Sequence, residues 1–204
     1  MMKKIVVTQR VDYFSKYNEY RDCLDQKLIH LIKKLGFQAF PIPNSFSDNN
    51  SLLNWLKVIE PDGVILSGGN DYKENMDRDN TEFFLINYCI NKIIPLFGIC
   101  RGMQLIALNS GVNLIKIKNH RNTYHYISGK INAKVNSFHQ FSLENCPKNF
   151  EILATCVDDN AIEAIKHINL PIAGCMWHPE REDNFIKNDL ILINQIMRNE
   201  GVTK

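Results

Sequence analysis

Apolar positions in the first half of the chain form two alternating kinds of run. "KKIVVTQ" (3–9), "FQAFPIP" (37–43), "GVILSGG" (63–69) and "IIPLFGIC" (93–100) are short apolar stretches bounded by turn residues, the pattern of buried strands. The prolines of the second remove ladder donors and predict a position near a sheet edge. Between these runs the spacing becomes helical. In "CLDQKLIHLIKKLG" (23–36), Leu24, Leu28, Leu31, Ile32 and Leu35 share one face and Gly36 ends the segment. "SLLNWLKVI" (51–59) reads as a shorter helix, and "EFFLINYCINK" (82–92) as one capped by Asn80 or Thr81. A further helix runs from Cys100 to about Asn109 and is stopped by Gly111. Strands alternating with helices predict a central, mostly parallel sheet with helices on both faces, an α/β fold.

Beyond Gly111 the period changes. "VNLIKI", "GKINAKVNSF", "FEILATCV", "AIEAIKHI" and "IAGCMWH" are short β-like runs separated by turns, which predicts a small mixed or antiparallel β extension. An amphipathic helix over about 183–199, with Phe185, Leu190, Ile193 and Ile196 or Met197 inward, closes the chain. Without repeats, low-complexity tracts or a linker, residues 1–204 are expected to form a single domain.

Composition narrows the function classes. The 204 residues are 45% hydrophobic, enough for one sizeable core. A formal net charge of +2 predicts neither a nucleic-acid footprint nor attraction to a membrane surface. The opening "MMKKIVV" has too short an apolar run for a signal segment and reads as a first strand. No run approaches the length of a membrane span, so a cytoplasmic location is expected. The six cysteines include no C-x-x-C pair, and reduced thiols are expected. No cysteine or histidine pair has a usual zinc-ligand spacing, so no metal is expected; His120 and His125 in "HRNTYH" fit a polar loop as well as a weak metal hint.

Candidate chemistry concentrates at three strand ends. Cys100 lies where the fourth strand turns into a helix, framed as G-x-C-x-G in "GICRG". That frame repeats the logic of a nucleophile elbow: a tight turn raises the central side chain, and the helix N-terminus supplies a positive dipole and unpaired N–H groups. A buried apolar cysteine is the alternative. A thiol nucleophile needs a base and the base an orienter. In "IAGCMWHPERE" His178 ends a strand and Glu180 follows by two, within reach of the imidazole. A strand-end cap and a solvated carboxylate are the alternative readings of those two. "LSGGND" (66–71) ends the third strand, where Gly68 and Gly69 allow close backbone approach to a carbonyl. With the N–H of Arg101, that of Gly69 would complete an oxyanion hole; an ordinary tight turn is the other reading.

Four segments in order, "SGGND" (67–71), "PLFGICRGMQLI" (95–106), "VNSFHQ" (135–140) and "MWHPERE" (176–182), together with the opening "TQRVDYFSKYNEYRDCLDQ", resemble the class I glutamine amidotransferase superfamily. They are most similar to its γ-glutamyl hydrolase, or peptidase C26, branch. The resemblance implies that Cys100 attacks a γ-glutamyl carbonyl to form a thioester, with His178 as base and acid, Glu180 as its orienter, and N–H groups of Gly69 and Arg101 as oxyanion donors. It implies that Gly68, Gln104, His139, Gln140 and Phe141 contact the glutamyl end of the substrate, and that no cofactor is used. Arg101 would bring a charged side chain to the site mouth, where it would meet an anionic leaving group or remain solvated. The N-terminal stretch, with Arg10, Tyr13, Tyr17, Tyr20 and Arg21, would shape a leaving-group pocket or simply stabilise the fold. Similar short-chain relatives act on nucleotide-linked γ-glutamyl phosphoramidates in surface-polysaccharide modification. The expected function is therefore a free-standing γ-glutamyl amide hydrolase acting on a small molecule. The alternatives are a glutaminase subunit feeding ammonia to a synthase partner and a catalytically silent binding protein.

Overall fold

The computed structural model describes residues 2–46 and 48–199; Met1 and residues 200–204, at the ends of the expected domain, lie outside them. The strands of the first half are β1 (Lys4–Val7), β2 (Arg10–Phe14), β3 (Glu19–Cys23), β4 (Gln38–Pro41), β5 (Gly63–Leu66) and β6 (Leu96–Ile99). Those of the second half are β7 (Leu114–Lys116), β8 (Arg121–Gly129), β9 (Ala133–Phe138), β10 (Phe141–Leu143), β11 (Phe150–Cys156), β12 (Ile162–His167) and β13 (Ile172–Cys175). The helices are α1 (Gln26–Lys34), α2 (Asn49–Ile59), α3 (Met76–Lys92), α4 (Arg101–Asn109) and α5 (Lys187–Met197).

One nine-stranded sheet runs in the order β4-β1-β5-β6-β13-β12-β11-β8-β9. The pairings from β4 to β13 are parallel and those from β13 to β9 antiparallel, so the predicted extension is continuous with the parallel sheet. The period of two along β1 explains the layers. Ile5 and Val7 pack on one face with Leu28, Leu31 and Ile32 of α1 and Ile193 and Ile196 of α5. Val6 packs on the other with Leu52 and Leu56 of α2, Leu85 and Ile86 of α3, and Met103 and Ile106 of α4. Each such side chain contributes about 1.5–3 kcal/mol by leaving water.

Three segments depart from the sequence pattern. Residues 10–23, given no element by the sequence pattern, are a β2–β3 hairpin. Neither hairpin face is consistently buried, so no alternation marks it; the Tyr13–Tyr20 ring pair and Arg21 stacked on Phe14 hold it instead. Helix α3 starts at Met76, capped by Asn75, whose Oδ1 accepts from Arg78 N at 2.9 Å, and not near Asn80 or Thr81. Its first turns are polar yet buried at Arg78, Asp79 and Glu82, which hides them from an apolar-period reading. The "HRNTYH" segment is not a polar loop: His120 and His125 are buried, and β8 alternates buried His125 and Ile127 with exposed Tyr124 and Tyr126. Asp25 caps α1 and α5 spans only 187–197, so both helices are shorter than predicted. Among the described residues no helix is long and apolar enough to cross a membrane.

Candidate active site

Cys100 occupies the step from β6 into α4 with φ +52 and ψ −107, a conformation that costs a non-glycine residue about 1–3 kcal/mol. The surroundings hold it there. Its N–H donates to the Cys175 carbonyl at 2.7 Å, and its own carbonyl accepts the Gln104 N–H at 3.2 Å. The two flanking glycines are sterically required. A Cβ on Gly98 would come within 2.5 Å of the Gly102 carbonyl carbon, and one on Gly102 within 2.4 Å of Leu66 O. Arg101 opens α4, so its N–H has no acceptor within the helix.

β13 lies parallel to β6 with Cys175 opposite Ile99, which carries His178 to the same carboxyl edge as Cys100. His178 Nδ1 is 2.7 Å from Glu180 Oε1. Burial opposes protonation of this imidazole, but the Cys100 sulfur and the Glu180 carboxylate outweigh it and raise its pKa to about 9. Asn136, at which the sequence reading assigned no role, fixes the histidine backbone from β9. Its Oδ1 accepts the His178 N–H at 2.9 Å and its Nδ2 donates to the His178 carbonyl at 2.9 Å. Gly68 packs closely against the imidazole, where a Cβ would meet His178 Cε1 at 2.6 Å.

The glycine turn after β5 is braced by a buried ionic network that no sequence period revealed. Arg78 donates to the carbonyls of Ser67 and Gly68 at 2.9 and 3.0 Å, to that of Gly69, and to Asn70 Oδ1 at 3.0 Å. In a planar trans peptide the C=O and N–H point in opposite directions, so anchoring Gly68 C=O on Arg78 turns the Gly69 N–H the other way. The Arg101 side chain does not sit at the site mouth. It is only 2% exposed and pairs with Asp79 and Glu82, while Glu82 also pairs with Arg78. Two guanidinium groups and two carboxylates compensate one another's desolvation, which is why a charge adjacent to Cys100 turns inward.

A cleft of about 390 Å³ opens over Cys100 and His178. Gly69, Gln104, His139 and Gln140, singled out in the sequence, line it. Phe141 is not among its lining residues: its carbonyl accepts from Gln104 Nε2 at 3.1 Å and from His139 Nδ1 at 3.0 Å, so it holds the wall from behind. Arg10, Arg121 and Arg181 also line the cleft, together with the carboxylates Asp71 and Glu74. Arg10 was anticipated within the N-terminal stretch; Arg121 and Arg181 were not, because strand pairing and a short helical turn alone bring them here. Tyr13, Tyr17 and Tyr20 are not part of this wall. A thiol beside an imidazole whose second nitrogen is held by a carboxylate is the arrangement of a nucleophile with its base and orienter.

Comparison with known proteins adds a relationship to this geometry. The family model for class I glutamine amidotransferases matches residues 18–191. A γ-glutamyl-CDP-amidate hydrolase of Campylobacter jejuni is 37% identical over 196 residues, covering 92% of this chain and 94% of that protein. The carbamoyl phosphate synthase small chain of Clostridium perfringens is 32% identical over 164 residues, covering 77% of this chain and 44% of that one. In fold, a Thermoplasma acidophilum protein described as a GMP synthase subunit superposes with a TM-score of 0.72 at 23% identity, over 98% of this chain and 96% of that one.

Proposed function

Because the chain belongs to the class I glutamine amidotransferase family, a family of enzymes, we propose that it hydrolyses a γ-glutamyl amide whose amine carries an anionic, nucleotide-linked phosphoramidate. The observation that carries the reading is the strained Cys100 beside the His178–Glu180 pair, at the floor of a cleft bearing Arg10, Arg121 and Arg181. The name of the Campylobacter relative supports the leaving group: that protein acts on a γ-glutamyl-CDP-amidate, and the two chains align over nearly their full lengths. In keeping with such end-to-end similarity, residues 1–204 act as one catalytic domain.

In this reading Cys100 Sγ attacks the γ-carbonyl while His178 Nε2 holds the thiol proton. The developing oxyanion accepts hydrogen bonds from the Gly69 and Arg101 N–H groups, an interaction worth about 2.7–4 kcal/mol per donor in comparable sites. His178 gives its proton to the departing nitrogen, leaving a γ-glutamyl thioester on Cys100. Water then attacks, His178 accepts its proton, and glutamate leaves as the thiol is restored. Glu180 keeps Nδ1 protonated throughout, and Asn136 prevents the histidine backbone from shifting. Gln104 and the wall formed by His139 and Gln140 meet the α-amino and carboxylate end. Gly68 brings the turn against the imidazole, and Phe141 acts through its carbonyl, behind Gln104 and His139. The arginines face the phosphates, where guanidinium forks suit phosphate oxygens.

A second reading has a specific observation in its favour. The similarity to a carbamoyl phosphate synthase small chain fits a glutaminase that delivers ammonia to a synthase partner. The retained cysteine, histidine and glutamate speak against a silent binding protein. One assay separates the readings: glutamate release from glutamine, from neutral N-substituted γ-glutamyl amides and from a nucleotide γ-glutamyl phosphoramidate, with Cys100→Ala as control. The hydrolase predicts Cys100-dependent turnover highest on the phosphoramidate. Turnover confined to glutamine, or appearing only with an added synthase, overturns it.

A further inference from the structure

A second group of histidines lies behind the cleft, on the antiparallel side of the sheet. His120 precedes β8, His125 lies on it, His139 follows β9, and Glu163 comes from β12. Their exposures are 3%, 6%, 4% and 0%. The ladder skips Glu163, passing from Ala154↔Ala164 to Thr155↔Ile162, so a bulge frees this residue from register. Its Oε1 is approached by His120 Nδ1 at 3.4 Å, His139 Nε2 at 3.4 Å and His125 Nε2 at 3.5 Å. None of these nitrogens, nor either Glu163 oxygen, makes a hydrogen bond of ordinary geometry among the described residues.

The outer hydrogen bonds determine which atoms face inward. His139 Nδ1 is 3.0 Å from the Phe141 carbonyl, which only accepts, so Nδ1 carries the proton and Nε2 turns its lone pair toward Glu163. His120 Nε2 is 3.0 Å from the Asp159 carboxylate. Against the opposing effect of burial, the Asp159 and Glu163 carboxylates on its two sides raise its pKa, so His120 Nδ1 turns toward the same oxygen either a proton or, in the neutral ring, a lone pair. A carboxylate this deeply buried must be compensated, either by protons on the facing nitrogens or by one cation lying among them. An imidazole held through its other nitrogen by a carboxylate or carbonyl is the usual outer arrangement of a metal-binding histidine. Donor atoms at the corners of a tetrahedron with metal bonds of about 2.0–2.1 Å are about 3.3–3.4 Å apart. The His120 and His139 contacts with Glu163 match that edge. Single donor atoms from His120, His139 and Glu163 all lie within 4.8 Å of one another, and Cys156 offers a thiol within the same limit to His120 and His125.

We propose that His120, His139 and Glu163 bind a zinc ion, with the fourth position open to water. Two imidazole nitrogens with one carboxylate oxygen suit zinc in tetrahedral geometry. The ion would tie β8, β9 and β12 together directly behind the cleft. His139 lines that cleft, and the Glu163 carbonyl accepts the Met176 N–H at 2.7 Å, two residues before His178. The sequence spacing argued against zinc because its donors come from separate strands; only the sheet assembles them. The ion would take no part in the proposed hydrolysis, although His139 belongs both to this group and to the cleft wall.

The test measures metal in the whole chain by elemental analysis, after purification with and without zinc supplementation and after stripping with a chelator. About one zinc per chain is expected, retained in Cys100→Ala, with tighter zinc binding than in Glu163→Gln by at least about 100-fold. Cobalt(II) added to the stripped wild-type protein should give the intense visible bands of tetrahedral coordination, a readout that does not require any variant to fold. Nitrogen NMR of the imidazoles decides the opposite case. If His120 and His139 carry protons on both nitrogens and neither zinc nor cobalt binds stoichiometrically, the cluster is an ionic one and the proposal is wrong.

Discussion

Two buried histidine–glutamate groups lie on neighbouring strands of this sheet and differ in number and distance. At the end of β13 one imidazole faces one carboxylate at 2.7 Å, a charge-assisted hydrogen bond, and its other nitrogen is left for Cys100. On the adjacent β12 three imidazoles surround one carboxylate oxygen at 3.4–3.5 Å, beyond good hydrogen-bond length. The first geometry keeps a proton on a chosen nitrogen and leaves the other free to exchange protons with sulfur. The second brings several imidazoles to a single carboxylate oxygen, the convergence on which the proposed metal site rests. The same two residue types thus do different work according to how many converge and how closely.

The largest effects should come from the first group. Replacing Cys100 by alanine is expected to lower kcat/KM for a γ-glutamyl amide by at least about 10⁴-fold, measured as glutamate release. Glu180→Gln should cost about 100- to 10,000-fold, chiefly in kcat, an effect far larger than the part of the His178 stabilisation that it removes. Glu163→Gln should reverse that pattern: about 3–5 kcal/mol of stability lost in denaturant unfolding, with kcat reduced far less. If both variants lost activity and stability alike, the contrast between the two groups would collapse.

The pH dependence sharpens the first group. His178 is raised in the folded state to about 9 from an ordinary value of 6.5, so its contribution to stability is fully present below pH 6.5. It is lost as pH rises through about 9. Unfolding free energies at pH 6, 7.5 and 9 should trace that decline. The decline should be shallower in Cys100→Ala, which removes one of the causes of the upward shift. The smallest effect is on the cleft rim. Arg181, stacked on Phe138 at 4.3 Å, should when replaced by alanine raise KM for a phosphate-bearing substrate by about 5- to 20-fold. KM for a neutral γ-glutamyl amide should stay unchanged, and an equal rise for both would remove the arginines from substrate recognition.

Much of this site was readable in linear order. The glycine frame of Cys100, the strand-end His178 and the following Glu180 each carry their signal within a few neighbouring residues, because a strand-to-helix turn and a two-residue spacing are local facts. The alternation of apolar strands with helices likewise determined the parallel half of the sheet, through the periods that burial imposes on each element. Other features had no local signal. Arg101 follows the nucleophile directly, yet whether it reaches solvent depends on Asp79 and Glu82 in a helix packed from elsewhere. Asn136 looks like an ordinary polar strand residue until β9 brings it against the His178 backbone. His120, His125, His139 and Glu163 are separated by up to 43 positions and read individually as polar loop or strand residues. The sequence by itself determined the periods, the turns and the local chemistry of the elbow. Tertiary structure alone decided which buried charges compensate one another and which histidines converge, because desolvation and lone-pair direction exist only once distant strands share a face.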